Sequence, residues 1–386
     1  MKFVLYTNCV SAHQLPLARE IAASVGNNEF RYVSDGEGCT GNQCVKSTGD
    51  WITSSKEDLS SCETLLVGGL RPMELMESRV AKGMRTLYMS ERWFKPAFGM
   101  LRLLHPKYFN MARRFVKLMR SAPSFTYLPI GIHAARDMAR LCGLFSGNLR
   151  CLFRPPALEF ERKPGGRIFL TQRSREAEKQ RGSKYCLDKM RMWGYFVEKG
   201  RGKKEEGRSN VGCCPSNVQA PLRVLWVGRF LNWKRVDTII QAVGYLSSQT
   251  PQTSQTILLD IYGTGPDEKR LKKLASKYGD AIKFHPPVAI DEVRKLMREH
   301  DVYVLSSNGY EGWGAVVSEA LEEGMMVVGT HEAGSCATML PESCLFHAGD
   351  WRALAKLLCD DVPRVGIGEW SAKGASEWMM REVAKT

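Results

Sequence analysis

Apolar residues along this chain fall into short runs, separated by stretches with a helical period. Phe3 to Thr7 is a strand run, Asn8 to His13 the turn after it, and Gln14 to Val25 a helix with Pro16 in its first turn, where proline is tolerated. Thr64–Gly68, Arg85–Ser90 and Phe125–Ile130 read as further strands, with helices over Met73–Lys82 and His133–Leu141. Residues 36–61 are polar and rich in Gly, Ser and Thr, a loop with a candidate short strand at Gln43–Lys46. Pro106 divides the stretch from Phe98 to Met119 into two expected short helices. Arg167–Leu170 is another candidate strand, and Met192–Val197 reads as the last segment of this half.

Lys199 to Ala220 is rich in Gly, Lys, Glu and Ser, has no apolar period and reads as a linker. Beyond it the alternation is strict. Strands are expected at Val224–Val227, Ile257–Tyr262, Ala281–Phe284, Val302–Leu305, Met325–Val328 and Cys344–Phe346. Helices are expected at Val236–Leu246, Asp267–Tyr278, Asp291–Arg298, Ala315–Glu323 and Asp350–Cys359. Asp267, Asp291 and Asp350 stand at or beside helix starts and are expected to cap them. Strand–helix alternation builds a doubly wound parallel sheet, and the first half shows it with longer interruptions. The expected fold class is therefore α/β, with two Rossmann-like doubly wound domains. Their expected extents are 1–205 and 206–365, followed by a C-terminal helical segment, 366–386.

A length of 386 residues suits two domains, and 44% hydrophobic with 25% charged residues is globular. No apolar run is long enough to span a membrane, and the N-terminus enters a strand pattern without a signal-peptide layout. The twelve cysteines are scattered and none form C-x-x-C; the nearest sets are Cys39/Cys44 and Cys213-Cys214. Reduced thiols in a cytoplasmic protein are the expectation. The net charge of +14 favours an anionic partner. Residues 101–120 hold six basic side chains (Arg102, Lys107, Arg113, Arg114, Lys117, Arg120) and no acidic one. A basic amphipathic stretch of this kind lies on an anionic membrane surface or, alternatively, packs as a helix pair with a solvated basic face.

The densest chemistry lies between Asp301 and Gly324. A strand ends at Leu305, a loop carries Glu311, Gly312, Trp313 and Gly314, and a helix begins near Ala315 and Val316 with Glu319 one turn inside. Glycines admit close backbone approach, and free N–H groups at the helix start suit a phosphate or sugar oxygen. Upstream, Gly228-Arg229 is followed by Lys234, and Tyr262 by Gly263-Thr264-Gly265-Pro266. Glu311, seven residues and Glu319 resemble the E-x7-E signature of retaining GT-B glycosyltransferases, chiefly glycosyltransferase family 4. Gly228-Arg229 with Lys234, and Gly263 to Pro266, resemble that family's Gly-Arg-(four residues)-Lys and G-x-G-P patterns.

The resemblance implies two domains facing across a cleft, an N-terminal acceptor side and a C-terminal nucleotide-sugar donor side, with a tail that crosses back. It implies a retaining, metal-independent glycosyltransferase that takes sugar from a nucleotide-diphosphate sugar to a saccharide or lipid-linked acceptor. Polysaccharide synthesis on the inner face of the membrane is the expected setting. Glu311 would meet the donor sugar and Glu319 the ribose. Arg229 and Lys234 would face the diphosphate, where two cations stabilise the charge growing on the leaving group. Gly263, Thr264, Gly265, Gly312, Trp313, Gly314, Ala315 and Val316 complete the implied donor set, and His133 resembles the histidine placed beside the donor sugar. His13 and Gln14 stand where much of the family has a Gly pair, and are read as acceptor-side. His285-Pro286-Pro287 stands where the family often has Gly, a departure that bears on the nucleotide base. No Asp-x-Asp metal motif occurs, and no metal, cofactor or nucleic-acid partner is expected. Two alternatives stay open at this point: a non-catalytic basic binding protein and a sugar-nucleotide epimerase on the same fold.

Overall fold

The computed structural model describes residues 1–35, 49–95, 99–153, 157–171, 186–197, 221–249, 256–360, 362–368 and 370–384. The chain divides into two compact units. The first holds Met1–Glu198 with Glu369–Thr386, the second Lys199–Gly368.

The first unit runs β1 (Phe3–Thr7), α1 (Leu15–Val25), β2 (Phe30–Ser34), β3 (Ile52–Thr53), β4 (Thr64–Gly68), α2 (Met73–Ala81) and β5 (Arg85–Ser90). It continues with α3 (Pro106–Ser121), β6 (Phe125–Pro129), α4 (Ile132–Leu144) and α5 (Arg150–Phe153). Strand order is β3-β2-β1-β4-β5-β6, all parallel. β1, β4 and β6 are buried at every position, because helices cover both faces of a parallel sheet. The order reverses between β1 and β4. At such a switch point the following loops part and leave a crevice beyond the strands' carboxyl ends. A small antiparallel ribbon, β7 (Leu158–Phe160) with β8 (Ile168–Leu170), lies apart from the sheet. Trp193 then extends the β6 edge, its N–H donating to Pro129 O at 3.1 Å.

The second unit runs β9 (Leu222–Arg229), α6 (Val236–Ser248), β10 (Ile257–Thr264), α7 (Glu268–Ala275), β11 (Ile282–His285), α8 (Ile290–Glu299) and β12 (Val302–Leu305). After it come α9 (Val316–Glu322), β13 (Met326–Thr330), α10 (Gly334–Met339), β14 (Leu345–Phe346) and α11 (Trp351–Cys359). Its order is β11-β10-β9-β12-β13-β14, again parallel, with the switch between β9 and β12. The last helix, α12 (Ala372–Val383), belongs to the first unit and packs on α1. Ser24 Oγ meets Ser376 Oγ at 3.3 Å, Arg85 pairs with Glu382 at 2.8 Å, and the Trp378 and Trp193 rings lie 5.4 Å apart.

Several expectations need correction. β2 was not read as a strand, because Arg31 and Ser34 interrupt its apolar run; only every second side chain needed to be apolar there. α10 has no apolar period, and its small residues are helical because they are buried against the rest of the unit. Instead of two short helices, the stretch around Pro106 forms one 3₁₀ segment, Gly99–Leu104, and one helix of 16 residues that proline starts rather than breaks. Of the three expected caps only Asp350 acts as one, accepting from Ala353 N at 3.0 Å. Asp267 turns to Arg270 at 2.6 Å, and Asp291 lies inside the first turn of α8. The candidate strand Gln43–Lys46, the linker 199–220, and Cys39/Cys44 with Cys213-Cys214 lie outside the described residues. Among the described residues no helix is long and apolar enough to cross a membrane.

Candidate functional site

Every donor-side residue singled out in the sequence lies around the carboxyl ends of β9, β10 and β12. β9 ends at Gly228-Arg229, and the register pairs Gly228 with Gly263 and Arg229 with Thr264 on β10. A Cβ on Gly263 would sit 1.9 Å from Gly228 O, and one on Gly265 would sit 2.6 Å from Phe230 O. These two glycines therefore let one loop's backbone lie on the other's, closed by Phe230 N to Thr264 O at 2.9 Å and Asp267 N to Phe230 O at 3.1 Å. Arg229 is exposed, and its guanidinium has no hydrogen bond or ion pair among the described residues.

From Arg229 the chain makes a 3₁₀ turn, Asn232–Lys234, and reverses at Arg235, a non-glycine residue at φ 50°. That left-handed backbone costs roughly 1 kcal/mol and is held by Arg235 Nε to Asp237 Oδ1 at 3.2 Å. The loops after β9 and β12 are tied across the switch point. Ser306 Oγ donates to Lys234 O at 2.8 Å, and Asn308 N donates to Trp233 O at 2.9 Å. Lys234 Nζ pairs with Glu311 Oε2, which also accepts Ser307 Oγ at 2.9 Å. Ser307 and its carbonyl are held from below by Thr330 Oγ1. The Glu311 carboxylate is thus held by two donors of its own unit.

Gly314 is at φ 88°, where a Cβ would also strike Leu305 Cδ2 at 2.7 Å. It turns the loop into Ala315, the N-cap of α9, with Val316 the first helical residue. Gly334 lies against Gly312 O, and Trp313 O accepts Ser335 N at 2.8 Å. The Trp313 indole is 1% exposed, so it anchors the loop in the core. Glu319 is half-buried, with no hydrogen bond to its carboxylate among the described residues. Burial pushes its carboxyl up, and only Arg294 pulls it back. Beneath both acids Tyr303 donates its hydroxyl to Val227 O at 3.2 Å; burial, then the charge of Glu319 and that of Glu311, push its phenol up.

A cavity of about 390 Å³ opens beside Gly263 and Thr264, lined also by Phe230, Phe284, His285, Pro286 and Pro287. His285 stacks on Tyr262 at 4.3 Å and bonds Asp260 Oδ1 through Nε2 at 2.7 Å. The other oxygen of Asp260 takes buried His300 at 3.1 Å. The His300 hydrogen bond, helped by His285, holds the Asp260 carboxyl down at about 2.

The remaining residues lie in the first unit. His13 stacks on Tyr195 at 5.8 Å, and burial holds its imidazole below the usual histidine range. Gln14 accepts Tyr32 OH at 2.7 Å and is 9% exposed, a packed position at the start of α1. His133 is half-buried at the second position of α4, which Gly131 opens at φ 84°. Among the described residues no group of three or more His, Cys, Asp or Glu could hold a metal ion.

Residues 217–360 match the family described as Glycosyl transferases group 1. The chain carries a glycosyl transferases group 1 domain on a GT-B fold. That fold is shared over the whole length with solved structures of low identity. One, described as trehalose-6-phosphate from E. coli bound with UDP-2-fluoro glucose, is 12% identical at a TM-score of 0.58, covering 100% of this chain and 99% of the other. The Anabaena Alr3699/HepE structure in complex with UDP is also 12% identical, at a TM-score of 0.57, with 100% of each chain covered. In sequence, the D-inositol 3-phosphate glycosyltransferase of Streptomyces bingchenggensis (strain BCW-1) is 32% identical over 118 residues, 28% of this chain and 26% of that protein. The chain thus spans about a quarter of the length of the first curated relatives it matches.

Within the group 1 domain, sequence reasoning missed Ser306, Ser307, Tyr303 and Thr330. Each hides its hydroxyl in or beside an apolar strand, where nothing in the spacing marks it. Asp260 and His300 were equally silent, and His285 was noted only as a departure from the family pattern, because the three come together only through the pairing of β10 with β11 and the docking of α8.

Proposed function

We propose that this chain is a retaining glycosyltransferase that moves a sugar from a nucleotide-diphosphate sugar to a hydroxyl of a saccharide or lipid-linked acceptor. The observation that carries the reading is the pairing of Lys234 with Glu311 across the β9/β12 switch point, with Arg229, unpaired among the described residues, at the end of β9. Breaking a sugar–phosphate bond leaves charge on the diphosphate. Cations fixed in advance stabilise that charge more in the transition state than in the bound donor. In this reading Arg229 and Lys234 take the leaving group, Glu311 the donor sugar hydroxyls and Glu319 the ribose. The same reading assigns His133 to the donor sugar and His13 with Gln14 to the acceptor. No metal or other cofactor is called for, since the two basic side chains meet the leaving group.

The names of the relatives and neighbours support the same reading. Two of the neighbours hold UDP or a UDP-sugar, which makes UDP the first nucleotide to try. A surface role is part of the proposal. In the first unit Leu101 and Leu104 are 56% and 80% exposed, beside exposed Arg102, Lys107, Arg113 and Lys117. Two of the six cations in this stretch are engaged within the fold: Arg114 pairs with the Glu77 carboxylate, and Arg120 keeps its charge but donates to Cys142 O. The remaining four suit an anionic membrane, which would hold the protein beside a lipid-linked acceptor. The test is incubation with UDP-, GDP- and ADP-sugars and a panel of saccharide and lipid-linked acceptors. Transfer with retained anomeric configuration supports the reading; nucleotide-sugar conversion without transfer favours an epimerase.

A further inference from the structure

In the first unit two guanidiniums pair with one buried carboxylate, and a third, unpaired among the described residues, lies close enough to feel all three charges. Arg92 follows β5, and Arg136 and Arg140 lie one turn apart on α4. Asp137 is 1% exposed, with Arg92 Nε and Arg140 Nη1 each at 3.5 Å and Phe94 N donating to Oδ2 at 3.0 Å. Asp137 is the one carboxylate acting on Arg136 and Arg140 among the described residues. Arg136 is half-buried and has no hydrogen bond or ion pair there. Arg140 Nε is buried with no hydrogen-bond partner. The group carries a surplus of positive charge in a place where solvent screens it poorly. Burial and the neighbouring guanidiniums both push Arg136 toward losing its charge.

A structural ion pair needs one cation for Asp137, and Arg92 or Arg140 supplies it. The third guanidinium adds repulsion and no bond, which a fold has no reason to keep unless an anion joins it. Guanidinium forks match the oxygens of a phosphoryl group in pairs. The location is the ligand edge of the sheet: Arg92 leaves the carboxyl end of β5, and α4 leaves that of β6. His133 stands one turn before Arg136 on the same helix. We infer that Arg92, Arg136 and Arg140 form a site for a phosphoryl group of the acceptor, so that the acceptor is a phosphorylated molecule. This rests on the glycosyltransferase reading for the word acceptor; the anion site itself does not.

The experiment is a thermal-shift titration of the full chain at constant ionic strength. The probes are inorganic phosphate, glucose 6-phosphate as a phosphomonoester and glycerophosphoinositol as a lipid-headgroup phosphodiester, each against chloride. The wild type is expected to be stabilised by phosphate and by one of the two esters, and the responding ester tells a soluble sugar phosphate from a lipid headgroup. Arg136→Gln is the decisive variant, since Arg136 holds no partner whose loss could unfold the chain. It should melt at or above the wild-type temperature without phosphate, and bind phosphate about tenfold or more weakly, as loss of one charge-assisted contact predicts. Arg140→Gln should lose the response as well, and the distant Arg352→Gln should keep it. The inference is overturned if no probe stabilises the wild type, or if Arg136→Gln responds as the wild type does. A UDP titration of the same proteins tests the donor site separately: UDP stabilisation that survives in Arg136→Gln keeps the two failures distinct.

Discussion

Lys234 and Glu311, 77 residues apart in sequence, are ion-paired across the switch point where β9 and β12 part. Each side chain is mostly buried, at 19% and 12% exposure, so the pair orients both groups. Arg229 stands at the end of the same strand with no described partner. On the proposed function, Arg229→Ala and Lys234→Ala should each lower turnover by about 10²–10³ while changing donor KM far less. The double variant should lose less than the product of the two, because both act on one leaving group. Steady-state kinetics with saturating donor checks this. Wild-type turnover in either variant removes that residue from the role. A chelator should leave turnover intact, and its abolition of activity would contradict the metal-free reading.

Glu319 is a half-buried carboxylate with its pKa raised by burial. A raised carboxyl pKa adds stability below the group's ordinary pKa and loses it as pH rises through the folded one. At pH 7 the ionised group is therefore a cost to the empty protein. Glu319→Gln should melt higher than wild type at pH 7, with the difference vanishing near pH 4. The same variant should bind a nucleoside diphosphate more weakly by about 1.5–3 kcal/mol, the loss of a charged hydrogen bond. Melting curves across pH with calorimetric titration read both. Lower stability with unchanged affinity would mean a purely structural acid.

Asp260 behaves in the opposite sense. Its carboxyl is lowered from 3.8 to about 2 by His300 first and His285 after it. A depressed carboxyl pKa adds stability above its ordinary value and loses it as pH falls through the folded one, here between about pH 4 and 2. The shift corresponds to about 2 kcal/mol. Asp260→Asn should lower stability by that order at pH 7, and the gap should narrow as pH falls toward 2. An equal gap at every pH would show that the loss is packing alone.

Gly263→Ala should be among the most damaging small changes in the second unit, since its Cβ would meet the Gly228 carbonyl at 1.9 Å. A cost of about 1–3 kcal/mol or more is expected. Gly366→Ala, with nothing within 4 Å of its Cβ, should stay within about 0.5 kcal/mol of wild type. Equal melting temperatures for the two would contradict the close approach of the loops.

For the membrane surface, sedimentation with vesicles at low salt is the check. Wild type should bind anionic vesicles over neutral ones, and Leu104→Asp or Arg113→Gln with Lys117→Gln should bind less. Equal recovery from both vesicle types would leave these residues a solvated face.

What the sequence made legible follows from how each feature is encoded. In the second unit β12 and β13 are contiguous apolar runs because both their faces are buried, β9 and β10 keep enough apolar positions to read as strands, and all six were readable. Glu311 and Glu319 stood out because they bracket a glycine-punctuated loop and the helix after it, and Arg229 and Lys234 because their spacing resembles a family pattern. β2 and α10 were hidden, one by polar residues at half-buried positions and the other by small residues that pack without a period. The group of Arg92, Arg136 and Arg140 beside Asp137, and the pair of histidines on Asp260, join separate elements, so only the folded chain brings them together. Gly263 and Gly265 were visible as a turn, but their reason, the backbone of the neighbouring loop, was not.

The central claim is a nucleoside-diphosphate site at the carboxyl ends of β9 and β12. The most direct measurement is the melting temperature of wild type and Glu319→Ala with saturating UDP, GDP or ADP. At a ligand concentration of 100 Kd, binding to the native state adds about 2.7 kcal/mol, a shift well above scatter. The account predicts a clear rise with at least one nucleotide in the wild type, and a much smaller rise in Glu319→Ala. No rise with any of the three, or the same rise in both proteins, would contradict it.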